Sequence, residues 1–105
     1  MTTPTDDGYD VLRAVFADAV TQANAGKGKE RHAGAGEAFH DQQIVQFGEW
    51  MGGSPVFAIG QACKKSIEST RLSPDRARAE LLGALNYLAA AIIVLDRAER
   101  AKAAP

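Results

Sequence analysis

Three groups of residues in this 105-residue chain have side chains suited to chemistry. The first is GKGKERHAGAGEAF, residues 26–39, where Lys27, Lys29, Arg31 and His32 sit among four glycines. Glycines let a backbone close around an anion, and the basic side chains would neutralise phosphate charge. A solvated connection is the plain alternative. The string is neither GxxxxGK[ST] nor a strand-to-helix GxGxxG. The second group is Gln61, Lys64 and Glu68, spaced i, i+3 and i+7, with Lys65 beside them and Glu80 further on. On a helix that spacing points all three into one cleft. It equally describes a solvent face on which Lys64 and Glu68 form an i,i+4 pair. Glu80 adjoins a long apolar run, where an unpartnered carboxylate is costly. The third group, His32, Glu37, His40 and Asp41, holds metal-capable types at a spacing that fits no zinc or calcium motif. His40-Asp41 reads more simply as the cap of a short helix. GxSxG and HExxH do not occur, and no nucleophile triad suggests itself.

The elements that must position these residues are helical. The chain is organised around Leu81–Leu95, LLGALNYLAAAIIVL, apolar on every face at helical pitch, which reads as a buried central helix. A membrane span needs about 18 apolar residues, and Glu80 and Asp96 bracket this run more tightly. Its small residues, Gly83, Ala84, Ala89, Ala90 and Ala91, permit close neighbours. Asn86 and Tyr87 need hydrogen-bond partners, either in an interhelical contact or, for Asn86, on the base edge of a ligand.

Upstream, Val11, Leu12, Val15, Phe16, Ala19, Val20 and Ala23 recur at threes and fours, predicting an amphipathic helix over 9–25, with Asp6, Asp7 and Asp10 at its positive end. Gln42–Met51 is a short helix stopped by Gly52-Gly53. Ser54-Pro55 starts a third over 55–70, with Val56, Ile59, Gly60, Cys63 and Ile67 on one side, and Ser73-Pro74-Asp75 starts the last. The expected architecture is all-α and four-helix bundle-like, with a long glycine-rich loop between helices 1 and 2. It comprises a flexible N-terminus (1–8), one domain (9–96) and a charged tail (97–105).

Twelve basic against thirteen acidic residues give a net charge of −1, so no global field favours a nucleic-acid duplex or an anionic membrane. One cysteine, Cys63, excludes an intrachain disulfide and reads as a small core hydrophobe in a cytoplasmic protein. So many apolar faces on so short a chain predict a homodimer or a higher symmetric oligomer.

The string ELLGALNYLAAAII, residues 80–93, resembles the last helix of MazG-like all-α nucleotide pyrophosphohydrolases, and the helical layout from 9 to 96 is similar. Small phage proteins of related type are alike in having a Lys-Lys-x-x-Glu helix before an Asn-Tyr helix. The family holds magnesium through an ExxE and an ExxD helix. Position by position, ExxE falls on Gln61 and Lys64, and ExxD on Glu80 and Gly83, so only Glu80 keeps its carboxylate. The resemblance therefore implies a nucleotide-sized cleft that binds phosphates without a bridging metal and without hydrolysis. Lys64, Lys65 and the Lys27–His32 loop would face the phosphates, with Gln61 and Glu68 in the same cleft and Glu80 or Asn86 nearer the base. Such a protein would sequester a nucleotide or a nucleotide signal. Two alternatives stay open: a magnesium-dependent pyrophosphohydrolase with ligands from Glu37, Asp41, Glu68 and Glu80, and a helical interaction module with no small-molecule site.

Overall fold

The computed structural model describes residues 7–25 and 37–104. The N-terminal segment with Asp6 and most of the glycine-rich loop, including Lys27, Lys29, Arg31 and His32, lie outside the described residues. Among the described residues the chain is all-helical: α1 (Asp10–Asn24), a short 3-10 turn (Phe39–Asp41), α2 (Gln43–Trp50), α3 (Val56–Ser69) and α4 (Pro74–Ala103). The predicted start and stop signals fall at the helix boundaries, with one shift: the third helix begins at Val56, so Pro55 takes the cap position instead of the first helical one. Asp7 accepts the Tyr9 N–H at 2.9 Å and receives both guanidinium nitrogens of Arg13, fastening the entry to α1. The Ser54 hydroxyl accepts the Val56 N–H at 3.2 Å, and Pro74 occupies the first position of α4, where an N–H has no partner to lose. Gly52 and Gly53 take φ of +78° and +79°, left-handed values that suit glycine and end α2.

At about 1.5 Å per residue, the 30 residues of α4 span roughly 45 Å, matching the longest dimension of 46 Å. α4 continues through the charged tail to Ala103, beyond the expected end near 96. Alanine, arginine, glutamate and lysine are strong helix formers. The extension is also pinned, with Arg97 pairing to Glu49 of α2 and reaching Asp41 at 4.0 Å.

α3 folds back antiparallel along α4, and the core lies between them: Ala58 and Ala62 meet Ala84, Tyr87, Ala90, Ala91 and Val94, with Ile44 and Val45 of α2 closing one end. Small side chains bring these helices close together. At Gly48 a Cβ would stand 2.7 Å from Val94 Cγ2 and 3.0 Å from the Ser54 carbonyl, so α2 reaches α4 only because this residue has none. α1 rests on a second flank of α4, where Asn86 Nδ2 donates to the Ala19 carbonyl at 3.0 Å and Gln22 Nε2 to the Ala79 carbonyl at 3.0 Å.

Two expectations, for Cys63 and for the central run of α4, are corrected. The Val56, Ile59, Gly60, Cys63 and Ile67 side of α3 faces outward, and its buried side is Ala58, Ala62 and Ser69. Close approach to the alanines of α4 favours the small residues over the larger aliphatic ones. Cys63 is therefore exposed rather than a core hydrophobe. Among the described residues the central run of α4 is covered on two sides, and Leu81, Leu88, Ile92 and Leu95 are 43–58 % exposed. By length and composition α4 is apolar enough to cross a membrane, with a mean hydropathy of 1.6 over 18 residues.

Candidate functional site

The polar flank of the α3–α4 hairpin forms a half-open recess of about 270 Å³, lined by Gln61, Lys64, Lys65, Glu68, Glu80 and Tyr87. Helical spacing builds it from both sides. Gln61, Lys64 and Glu68 project from α3 on one side of its alanine seam, while Glu80 and Tyr87, seven residues apart, project from α4. The antiparallel return of the chain brings the two sets together.

The lining has an inner and an outer pair. Inside, Lys65 Nζ stands 3.5 Å from Glu80 Oε2, with side-chain exposures of only 16 % and 29 %. The same ammonium lies 5.8 Å from the centre of the Tyr87 ring, within range of its π-face. The lysine stem crosses α4 at Gly83, where a Cβ would sit 3.2 Å from Lys65 Cδ and 3.4 Å from Cε. Any larger residue at 83 would push this lysine toward the opening. At the rim, Lys64 and Glu68 form a looser i,i+4 pair at 3.9 Å, both well solvated. Such surface pairs contribute about 0–1 kcal/mol and rearrange easily. The recess thus offers two ammonium groups and a carboxamide as donors, two carboxylates as acceptors, and one aromatic face. It is slightly smaller than a typical ligand pocket of about 300–1,000 Å³.

Of the residues singled out in the sequence, Gln61, Lys64, Lys65, Glu68 and Glu80 share this recess. Asn86 does not. Its side chain lies on the α1 flank of α4, donating to the Ala19 carbonyl, and it lines a different, largely apolar pocket of about 420 Å³ with Val20, Ala23, Phe39 and Ile93. Glu37 also lines that second pocket. His40 and Asp41 belong to the 3-10 turn, 3.7 Å apart, and the N-terminal cap position of α2 falls on Gln42 instead. Arg97 links Asp41 to the C-terminal half of α4. Seventeen residues of helix separate Arg97 from Glu80, roughly 25 Å, so Asp41 and Glu80 cannot share one cation. Among the described residues no three of histidine, cysteine, aspartate and glutamate form a metal-holding group. Tyr87 and Gly83 take parts in the recess that residue type alone did not reveal. The signal was positional: Tyr87 stands two helical turns beyond Glu80, and Gly83 one turn beyond it.

Comparison of the chain with family models, curated proteins and solved structures yields no match.

Proposed function

We propose that this chain is a MazG-like helical protein that binds a nucleotide or other phosphate-bearing small molecule in the α3–α4 recess, without hydrolysing it. One observation carries the reading. Gln61, Lys64 and Glu80, three of the four positions at which the family pattern calls for magnesium-binding carboxylates, line a single recess, and at the fourth, Gly83, a Cβ would stand 3.2 Å from the Lys65 side chain. A scaffold that held a metal–phosphate complex at those positions would, with ammonium groups in their place, hold the phosphate directly. The donor set argues against retained hydrolysis. Glu80, the one carboxylate left at a ligand position, already has an ammonium at 3.5 Å, and Glu68 is paired as well. A hard cation wants several carboxylate oxygens free of such competition. The Lys27–His32 segment would add further basic groups to the same phosphates.

Isothermal titration of the full chain with mono-, di- and triphosphates and cyclic dinucleotides tests the proposal. Binding without added magnesium, abolished by Lys65→Met with unchanged far-UV circular dichroism, is the expected result. Silence across the panel refutes it. Magnesium-dependent release of phosphate or pyrophosphate would establish the hydrolase instead.

A further inference from the structure

The exposed face of α4 has a regular pattern that the ligand reading does not use. Leu81, Leu85, Leu88, Ile92 and Leu95 follow one another at intervals of 4, 3, 4 and 3, the spacing of a coiled-coil seam over two heptads. Leu85 is half-buried and the other four are about half exposed. Their stripe is a third side of the helix, set roughly 110–120° from both the α3-facing and α1-facing sides at 3.6 residues per turn. Nothing in the recess needs it. An aliphatic stripe of this length is costly to leave in water.

The geometry points to a second copy of this chain as the occupant, with α4 packing antiparallel on α4 about a two-fold axis beside Leu88. Two features select this partner. A heptad stripe is complementary to itself, as an isologous two-fold contact requires. Extending the same spacing by one step each way reaches Arg78 before Leu81 and Glu99 after Leu95, both exposed. Their midpoint falls next to Leu88, so an antiparallel pair sets Arg78 of each copy toward Glu99 of the other at both ends. A parallel pair would set like charges together. In the monomer Arg78 is held by Asp18 at 2.5 Å and Glu99 by Lys102 at 3.2 Å, both exposed and free to be shared. Pairing closes the remaining open side of α4 and accounts for a helix that is apolar all round.

Light scattering after size exclusion, on the full chain, tests the inference without reference to any ligand. The expected wild-type mass is twice the 11.1 kDa chain, or an even multiple of it. Leu88→Glu and Ile92→Glu should lower that mass with helicity retained. Because a seam variant can also misfold, the charged ends supply an independent check. Arg78→Glu should weaken assembly at least several-fold, and Arg78→Glu with Glu99→Arg should restore it. A stable wild-type monomer overturns the inference, as does an unchanged mass in both seam variants, or a charge exchange that restores nothing. Binding of the wild type to phosphatidylcholine vesicles, lost in Ile92→Glu, would also overturn it by making a bilayer the occupant.

Discussion

Glu80→Gln separates the ligand reading from its hydrolytic rival by the sign of its effect. The side chain keeps its shape and loses its charge. In the wild type Glu80 competes with any anion for Lys65, whose ammonium it approaches to 3.5 Å. A phosphate oxygen bonded to Lys65 from the recess side stands roughly 6 Å from that carboxylate. Two like charges at this distance repel by about 0.7 kcal/mol in water and about 2.8 kcal/mol at an effective dielectric constant near 20. The recess is half-open, so the expected gain lies between, at about 1–2 kcal/mol, or roughly 5–30-fold tighter binding. The substitution also leaves the lysine side chain, only 16 % exposed, without its counter-ion. That should cost about 1 kcal/mol of stability, lowering Tm by roughly 4–8 °C. Titration calorimetry at low ionic strength, on wild type, Glu80→Gln, Lys65→Met and the double variant, reads the first effect, and thermal melts read the second. The gain in affinity should shrink as salt rises and vanish in the double variant. Weaker or unchanged binding in Glu80→Gln would falsify the idea that Lys65 holds the anion.

Further consequences follow from the same geometry. Gly48→Ala forces a methyl against Val94 and the Ser54 carbonyl; overpacking of about 1–3 kcal/mol should exceed the helix gain of about 0.5–1 kcal/mol. Adding Val94→Ala removes two of the three close contacts, so urea melts should show the double variant to be more stable than the sum of the single effects. In a Lys65→Ala background, Gln61→Glu, Lys64→Glu and Gly83→Asp would surround Glu80 with three new carboxylates. Calorimetry should then detect manganese binding that the wild type lacks, and none would mean that these positions do not converge. Hydrogen bonding from Arg13 holds the Asp7 carboxyl below its ordinary value of 3.8, aided by the Tyr9 N–H. Its contribution is therefore complete above that value and lost as pH falls through the lower folded-state value. Amide protection at the entry to α1, corrected for the intrinsic exchange rate, should fall as pH drops below the ordinary carboxylate range, and Asp7→Asn should abolish that dependence.

The helices themselves were legible because their signals are local. Ser54-Pro55, Gly52-Gly53 and Ser73-Pro74 act through backbone geometry within a turn, and the apolar period of α1 needs no partner to be seen. The i, i+3, i+7 register of Gln61, Lys64 and Glu68 placed them on one face for the same reason. What that register could not show was whether Glu80 would meet them, since this depends on how α3 turns back along α4. The inward side of α3 was not legible from its period, because the large aliphatic residues Val56, Ile59 and Ile67 stand on one side, whereas close helix packing selects Ala58 and Ala62. Asn86 was ambiguous between ligand and neighbour until α1 supplied the Ala19 carbonyl.

Residue order by itself determined an all-helical chain with a long apolar final helix and a candidate set of amines and carboxylates, because helix formation and capping are decided within a few residues. Tertiary structure alone decided that Lys65 lies over Gly83 and pairs with Glu80 and that the leucine stripe of α4 stays open. Those outcomes turn on which surfaces approach within a few ångströms, and that distance is set by the size of side chains on another helix.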